Sequence, residues 1–78
     1  MVYPNPVTHN RFSIFGLAEG EKANIKIVSM SGKVVFTATQ ITEMETSIVL
    51  KKALSTGVYQ LIVEQNKAIH HSKLIVKP

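Results

Sequence analysis

Apolar and polar residues alternate along most of this chain with a period of two, which is the pattern of β-strands that have one buried face. The pattern predicts strands at residues 10–15, 23–30, 34–38, 47–50, 58–64 and 68–77. The residues predicted to face inward are Phe12, Ile14, Ile25, Ile27, Ile48, Leu50, Tyr59, Leu61, Val63, Leu74 and Val76. These positions are the candidate hydrophobic core.

Short polar segments separate the predicted strands. Ser31-Gly32 lies between two β-rich segments and predicts a hairpin, because glycine adopts a positive φ without steric cost. Gln65-Asn66-Lys67 predicts a second turn, since asparagine tolerates the left-handed conformation. Residues 39–46 are polar and weakly patterned, and residues 51–54 are interpreted as one helical turn.

These elements together predict a fold class. Six or seven short strands, with turn signals every 8–14 residues or so and no long helix, are typical of small all-β domains. We therefore expect a small antiparallel, immunoglobulin-like β-sandwich, with a small β-barrel as the alternative. A length of 78 residues fits one domain, so residues 1–78 are expected to form a single unit.

The residues on which most enzymes and metal sites depend are scarce. The chain has no cysteine, and all five acidic residues are glutamates, which excludes disulfides and thiolate sites and weakens calcium, magnesium and acid–base interpretations. His70 and His71 are adjacent in a predicted strand and so face opposite sides, and His9 has no evident partner. Glu43 and Glu45 are interpreted as an exposed acidic segment. We expect no catalytic residue, cofactor or metal, and no enzyme.

The chain is basic, but its positive charges are dispersed. The net charge is +4, and Lys51-Lys52 is the one adjacent pair of cations. Proteins that bind nucleic acid cluster arginine and lysine and expose aromatic residues, so nucleic acid is not an expected partner. Apolar runs are no longer than three residues, whereas a membrane-spanning helix needs about 20. The N-terminus lacks the basic and apolar regions of a signal peptide.

Four motifs follow one another along the chain. They are Tyr3-Pro4-Asn5-Pro6-Val7, Met30-Ser31-Gly32-Lys33-Val34-Val35, Leu54-Ser55-Thr56-Gly57-Val58-Tyr59-Gln60-Leu61 and Lys73-Leu74-Ile75-Val76-Lys77. In this order and spacing they resemble the type A C-terminal sorting domain of the type IX (Por) secretion system of Bacteroidetes. Each motif is weak alone, and the combination is specific.

The resemblance implies which residues carry the sorting function. They are Tyr3, Pro4, Asn5, Pro6, Gly32, Gly57, Tyr59, Lys73, Leu74, Val76 and Lys77. We expect the prolines to hold Tyr3 and Asn5 in extended geometry, and Gly57 to permit a tight bend before its strand. Tyr59 is expected to bury its ring and keep its hydroxyl near the rim. The closing strand is expected at a sheet edge, where its lysines discourage unwanted pairing.

The chain departs from the family pattern at one place. The family usually has an Asp-Leu pair where this chain has Val49-Leu50, and the spacing from Leu50 to Leu54 is one residue wider than expected. A local bulge or insertion would account for the wider spacing. The path of residues 49–54 is therefore left open by the sequence.

The resemblance also implies a function. Domains of this family are C-terminal signals that direct an attached cargo protein across the outer membrane, after which the domain is removed or the cargo is anchored at the cell surface. The implied partners are components of the type IX translocon, a sortase-like protease and a covalently preceding cargo. The implied location is secreted or cell-surface, after transit through the periplasm. The chain is then expected to be a fragment of a longer secreted protein.

Recognition is expected to involve the closing strand, by strand addition at an exposed edge. An unpaired edge would also permit a strand-swapped dimer. The alternative function is a fibronectin-like or adhesin β-sandwich that binds carbohydrate or protein. That alternative predicts an exposed aromatic platform or a calcium loop, whereas the few aromatic residues here lie mostly at inward positions and aspartate is absent.

Overall fold

The computed structural model describes residues 2–77, whose regular structure is entirely β. Met1 and Pro78, the two ends of the predicted domain, lie outside the described residues. The strands are β1 (Val2–Tyr3), β2 (Arg11–Phe15), β3 (Lys22–Ser29), β4 (Val34–Ile41), β5 (Glu45–Val49), β6 (Gly57–Gln65) and β7 (Ala68–Val76). Residues 2–77 contain no helix with the length and hydropathy needed to span a membrane.

The strands form two antiparallel sheets that pack on each other. The three-stranded sheet has the order β1-β2-β5, and the four-stranded sheet has the order β4-β3-β6-β7. The predicted small β-sandwich is confirmed, and the order of the larger sheet corresponds to the C′CFG order of immunoglobulin-like domains. No ladder within residues 2–77 joins the two sheets into a closed barrel.

The core lies between the two sheets and follows the alternation of the sequence. The buried apolar residues are Val7, Phe12, Ile14, Ala23, Ile25, Ile27, Ile48, Leu50, Tyr59, Leu61, Val63, Leu74 and Val76. Every position predicted to face inward belongs to this set. Each large aliphatic side chain buried here contributes about 1.5–3 kcal/mol relative to an exposed one, so the core stabilises both sheets together.

Two tight hairpins build the four-stranded sheet. Between β3 and β4, Gly32 has φ +89°, and Ser29 N donates to Lys33 O at 2.8 Å, as the predicted hairpin requires. Between β6 and β7, Asn66 and Lys67 have φ values of 54° and 64°, which are typical of a two-residue type I′ turn. Both turns fix the register of long antiparallel pairs.

The segment after β5 differs from its interpretation as a helical turn. Lys51 and Lys52 form bends, and residues 51–54 contain no helix. Four residues cannot repay the cost of helix nucleation without strong tertiary support. The strand predicted at residues 34–38 is also too short, because β4 continues to Ile41.

One strand was not predicted from the sequence. Val2 pairs with Ile14 and Tyr3 pairs with Ser13, which makes β1 an edge of the three-stranded sheet. Two residues are too few to show alternation, so no periodic signal marks this strand. Tyr3 is in a strand, in agreement with the extended geometry expected before Pro4.

Gln65, predicted as a turn residue, is instead a buried end of β6. Its side-chain amide donates to Thr42 Oγ1 at 2.7 Å, and its Oε1 accepts a hydrogen bond of 2.9 Å from Ala18 N. The Thr42 hydroxyl in turn contacts the carbonyl oxygens of Ala18 and Glu21. These bonds satisfy the buried polar atoms and fix the loop between β2 and β3.

Candidate functional site

The ladders of the four-stranded sheet bring three of the four motifs to one end of the molecule. Tyr59 of β6 lies opposite Ser29 of β3 on one side and opposite Leu74 of β7 on the other. Gly57 lies opposite Val76, and Gly32 is in the turn that directly follows β3. We call this end of the sandwich the motif end.

The first motif reaches the same end and binds the outer edge of β7. The Asn5 side chain donates from Nδ2 to Lys73 O at 3.1 Å and accepts at Oδ1 from Ile75 N at 2.9 Å. Val7 continues the contact, with its N donating to Ile75 O at 2.6 Å and its O accepting from Lys77 N at 3.0 Å. Residues 5–7 are called the N-terminal clamp below.

The clamp satisfies backbone groups that an edge strand would otherwise expose. Val7 forms a parallel bridge with Val76, and its side chain is buried in the core. The Tyr3-Pro4 and Asn5-Pro6 peptide bonds are both cis. Prolines have no backbone N–H to donate, so the side chain of Asn5 supplies hydrogen bonds from a segment whose backbone has few donors.

The clamp also limits where another strand could pair with β7. The predicted edge position of β7 is confirmed, because β6 is its one neighbour in the sheet. Its outer edge is covered from Lys73 to Lys77 and is free of hydrogen bonds to residues 2–77 only nearer its start, around Ile69 and His71. Strand addition along the last motif therefore requires displacement of the clamp.

Tyr59 anchors the approach to β6. It is 8% exposed, and its hydroxyl donates to Ser55 O at 2.7 Å, as expected of a buried ring with its hydroxyl at the rim. A tyrosine near the start of this strand that bonds backward to the main chain is the tyrosine corner of immunoglobulin-like sandwiches. The bond ties Ser55, in the loop after β5, to the start of β6.

Gly57 does not have the role expected for it. Its φ is not positive, and a Cβ placed there would meet the Tyr59 ring at 4.0 Å, an ordinary contact distance. Gly57 is the first residue of β6 and pairs with Val76. A bend does precede β6, at Thr56, but no positive φ at Gly57 produces it, and the hydrogen bond from the Tyr59 hydroxyl to Ser55 O spans it.

The side chains of the last motif divide between core and surface. Leu74 and Val76 are buried, whereas Lys73 and Lys77 are exposed. Lys73 lines a shallow groove of about 360 Å³ on the outer face of the four-stranded sheet, together with Met30, Val58 and Gln60. The groove places an exposed methionine, 77% accessible, beside a motif lysine.

Within residues 2–77 the candidate ligands for a metal do not converge. The structure brings together no group of three or more histidine, cysteine or acidic side chains in this range. His70 and His71 are both exposed on β7, and His71 Nδ1 lies 2.9 Å from Gln60 Nε2. Glu45 accepts a hydrogen bond of 2.9 Å from Ser13 Oγ on the outer face of the smaller sheet.

Sequence reasoning did not identify the contacts that join the first motif to the last. Val7 and Ile75 lie in the four motifs but are not among the predicted site residues. Asn5 is one of the predicted site residues, but the sequence does not predict its hydrogen bonds to β7. Asn5 contacts residues 68 and 70 positions away, so no local periodicity could reveal the pairing. The one local signal is the position of Asn5 between two prolines. The prolines have no backbone N–H, so Asn5 is the residue that can donate a hydrogen bond from residues 4–6.

Comparison with known proteins gives one match. The model of a protein family described as "Secretion system C-terminal sorting domain" matches residues 1–77. The match includes all four motifs and every strand of the sandwich. No curated protein and no solved structure matches the chain.

Proposed function

The chain belongs to the family of secretion system C-terminal sorting domains, and we propose that the type IX machinery recognises it at the motif end. Membership makes the chain a C-terminal sorting signal for type IX secretion, and the adhesin alternative has no support. Such a signal implies a preceding cargo, contact with the type IX machinery and a secreted or surface-attached cargo. The family acts as a sorting signal and is not known as catalytic.

The single observation that supports recognition at the motif end is the meeting of the first and last motifs there. The Asn5 side chain binds the backbone of β7 at Lys73 and Ile75, and this contact exists only when the chain ends are folded together. A receptor that contacts both motifs would therefore distinguish the folded domain from an unfolded chain. The proposed unit is the whole domain, residues 1–78.

The proposed contact residues are the exposed members of the motifs. Lys73 and Lys77 present positive charge on the closing strand, and Tyr3, 64% exposed, lies at the entry to the domain. Leu74, Val76 and Tyr59 are proposed to act by holding that surface in place, since their side chains are buried. The remaining motif residues Pro4, Asn5, Pro6 and Gly32 shape the backbone of the same end, where Gly57 pairs with Val76 as the first residue of β6.

The steps around recognition are proposed on the basis of the family. The cargo reaches the periplasm, the translocon binds the folded domain, and a sortase-like protease then separates domain and cargo upstream of Tyr3. The exposure of Tyr3 on a strand of two residues supports a cleavage region there, because this entry to the domain lies at the surface. A strand-swapped dimer would require β7 to leave its clamp.

The first test is secretion of a fluorescent protein fused ahead of residues 1–78 in a host with a type IX system. Deletion of residues 73–78 should leave the cargo in the periplasm, as measured by fractionation and surface fluorescence. Normal surface display of the truncated fusion would overturn the proposal. Because the deletion also removes buried Leu74 and Val76, it does not separate folding from recognition.

Paired lysine variants make that separation. Lys73→Ala with Lys77→Ala removes exposed charge from the motif end, whereas Lys22→Ala with Lys67→Asn removes equal charge from the opposite end of the sandwich, and asparagine suits the left-handed turn position of Lys67. Both variants should fold, because all four side chains are exposed. We expect the first pair to lower surface display and the second to leave it unchanged. Equal loss in both would show that total charge, and not the motif end, determines export.

A further inference from the structure

The opposite edge of the four-stranded sheet has none of the protection found at β7. Strand β4, Val34–Ile41, reads VVFTATQI and contains no charged residue, proline or glycine. Its apolar ends are accessible, with Val34 46% and Ile41 58% exposed. Natural edge strands usually carry charge, proline or a cover, because bare edges pair with other chains.

The outward backbone groups of β4 can be assigned from its ladder with β3. Thr42 N donates to Glu21 O at 2.9 Å, and hydrogen-bonded positions alternate along an antiparallel pair. The N–H and C=O groups of Thr37, Thr39 and Ile41 therefore face away from β3. Among residues 2–77, no hydrogen bond from outside the ladders reaches the backbone of β4.

The other edges are less suited to pairing. The outer edge of β7 is clamped along its second half by Asn5 and Val7. Strand β5 has five residues and begins with Glu45, and β1 has two residues. Strand β4, with eight residues, offers the longest uncovered ladder.

We propose that β4 is a homotypic pairing edge at which a second copy of this chain adds its own β4 in antiparallel orientation. With the two-fold axis at Ala38, Thr37 lies opposite Thr39 of the second copy, and Val35, the extra residue of a bulge in β4, lies near Ile41 of the second copy. Threonine pairs and β-branched pairs are favourable cross-strand neighbours. The two four-stranded sheets become one continuous sheet of eight strands.

The charges at the ends of β4 support a second copy in this orientation. Lys33 directly precedes the strand and Glu43 follows it by two residues, and both are exposed. The antiparallel orientation about Ala38 brings the end of β4 next to Lys33 in each copy beside the end next to Glu43 in the other, so opposite charges meet at both ends. Parallel pairing would instead bring Lys33 close to Lys33 and Glu43 close to Glu43, which is unfavourable.

The test is sedimentation equilibrium of the full chain, with and without substitutions on β4. The wild-type chain should dimerise at concentrations below about 1 mM. Thr37→Pro removes an outward N–H without breaking the β3 ladder, and should weaken the dimer about tenfold or more. The matched control Thr56→Pro, in an exposed loop, should leave the dimer constant unchanged.

Charge reversal tests the register independently of the strand backbone. Lys33→Glu should weaken the dimer about tenfold, and adding Glu43→Lys should restore it, because opposite charges again face each other. Lys67→Glu, in the exposed turn between β6 and β7, changes the net charge equally and should have no effect. A monomer up to about 1 mM, a dimer indifferent to Thr37→Pro, or failure of the double reversal to restore pairing would each overturn the proposal.

Discussion

The two edges of the four-stranded sheet, β7 and β4, differ in whether their outward backbone groups have hydrogen-bond partners. Both expose a row of backbone groups, yet β7 has a second segment of the chain bound along its outer side and β4 has none within residues 2–77. The inward side chains differ as well, since Leu74 of β7 is fully buried while Phe36 of β4 is half-buried. The fold is therefore tightly closed at the edge that carries the last motif.

The contrast indicates what the N-terminal motif contributes to the domain. Asn5 and Val7 provide the hydrogen bonds that a neighbouring strand would otherwise provide to β7. Because the same residues follow the region that joins a sorting domain to its cargo, the closing strand is fixed by the segment nearest the cargo. The folded state of the last motif therefore depends on its contacts with the first motif.

The largest expected effect comes from truncating the buried side chain on the clamped edge. Leu74→Ala should lower the free energy of unfolding by about 3 kcal/mol, because it leaves a cavity in a fully buried site. Phe36→Ala on β4 should cost about half as much, since its ring is partly exposed. Urea unfolding followed by circular dichroism measures both, and an equal loss would contradict the difference between the edges.

The clamp itself should have an intermediate effect. Asn5→Ala removes two hydrogen bonds to β7 and should lower stability by about 1–2 kcal/mol. Asn24→Ala is the matched control, because Asn24 is exposed and bonds to side chains only, at Thr39 and Glu64. Its expected cost is below about 0.5 kcal/mol. Equal costs in the two variants would show that the clamp contributes no more than an ordinary surface contact.

The smallest effect is expected on the open edge. Thr37→Lys adds a charge to an exposed side chain of β4 and should change the free energy of unfolding of the monomer by less than about 0.5 kcal/mol. A lysine at this edge should still oppose pairing with another strand. Dilute thermal unfolding measures the stability, and a loss above 1 kcal/mol or so would indicate that β4 has an intramolecular partner.

Alternation in the sequence predicted the strands whose two faces differ in burial. Phe12 and Ile14, or Leu61 and Val63, face the core while their neighbours face water, so period two is visible and the inward set is correct. On β4 the signal weakens, because none of the side chains of this strand is fully buried. Its second half, residues 39–41, was therefore interpreted as a polar connection.

The remaining misses involve groups whose partners are distant in sequence. Gln65 and Thr42 are polar and lie next to turns, so the sequence gives no sign that they are buried. Their burial is favourable because they hydrogen-bond to each other and Gln65 also bonds to Ala18 in the loop between β2 and β3. The same is true of Asn5, whose partners lie in the last strand. Motif order located this end of the molecule, whereas the contacts within it depend on the tertiary fold.

Amide hydrogen exchange tests the difference between the edges most directly, at a dilution where the chain is monomeric. The amides of Ile75 and Lys77, bound by Asn5 and Val7, should exchange nearly as slowly as that of buried Leu61. The amides of Thr37 and Thr39 should exchange near the rate of an unprotected peptide. Asn5→Ala should speed exchange at Ile75 and leave Lys77 and Leu61 protected. Slow exchange at Thr37 and Thr39, or fast exchange at Ile75 in the wild-type chain, would contradict the account.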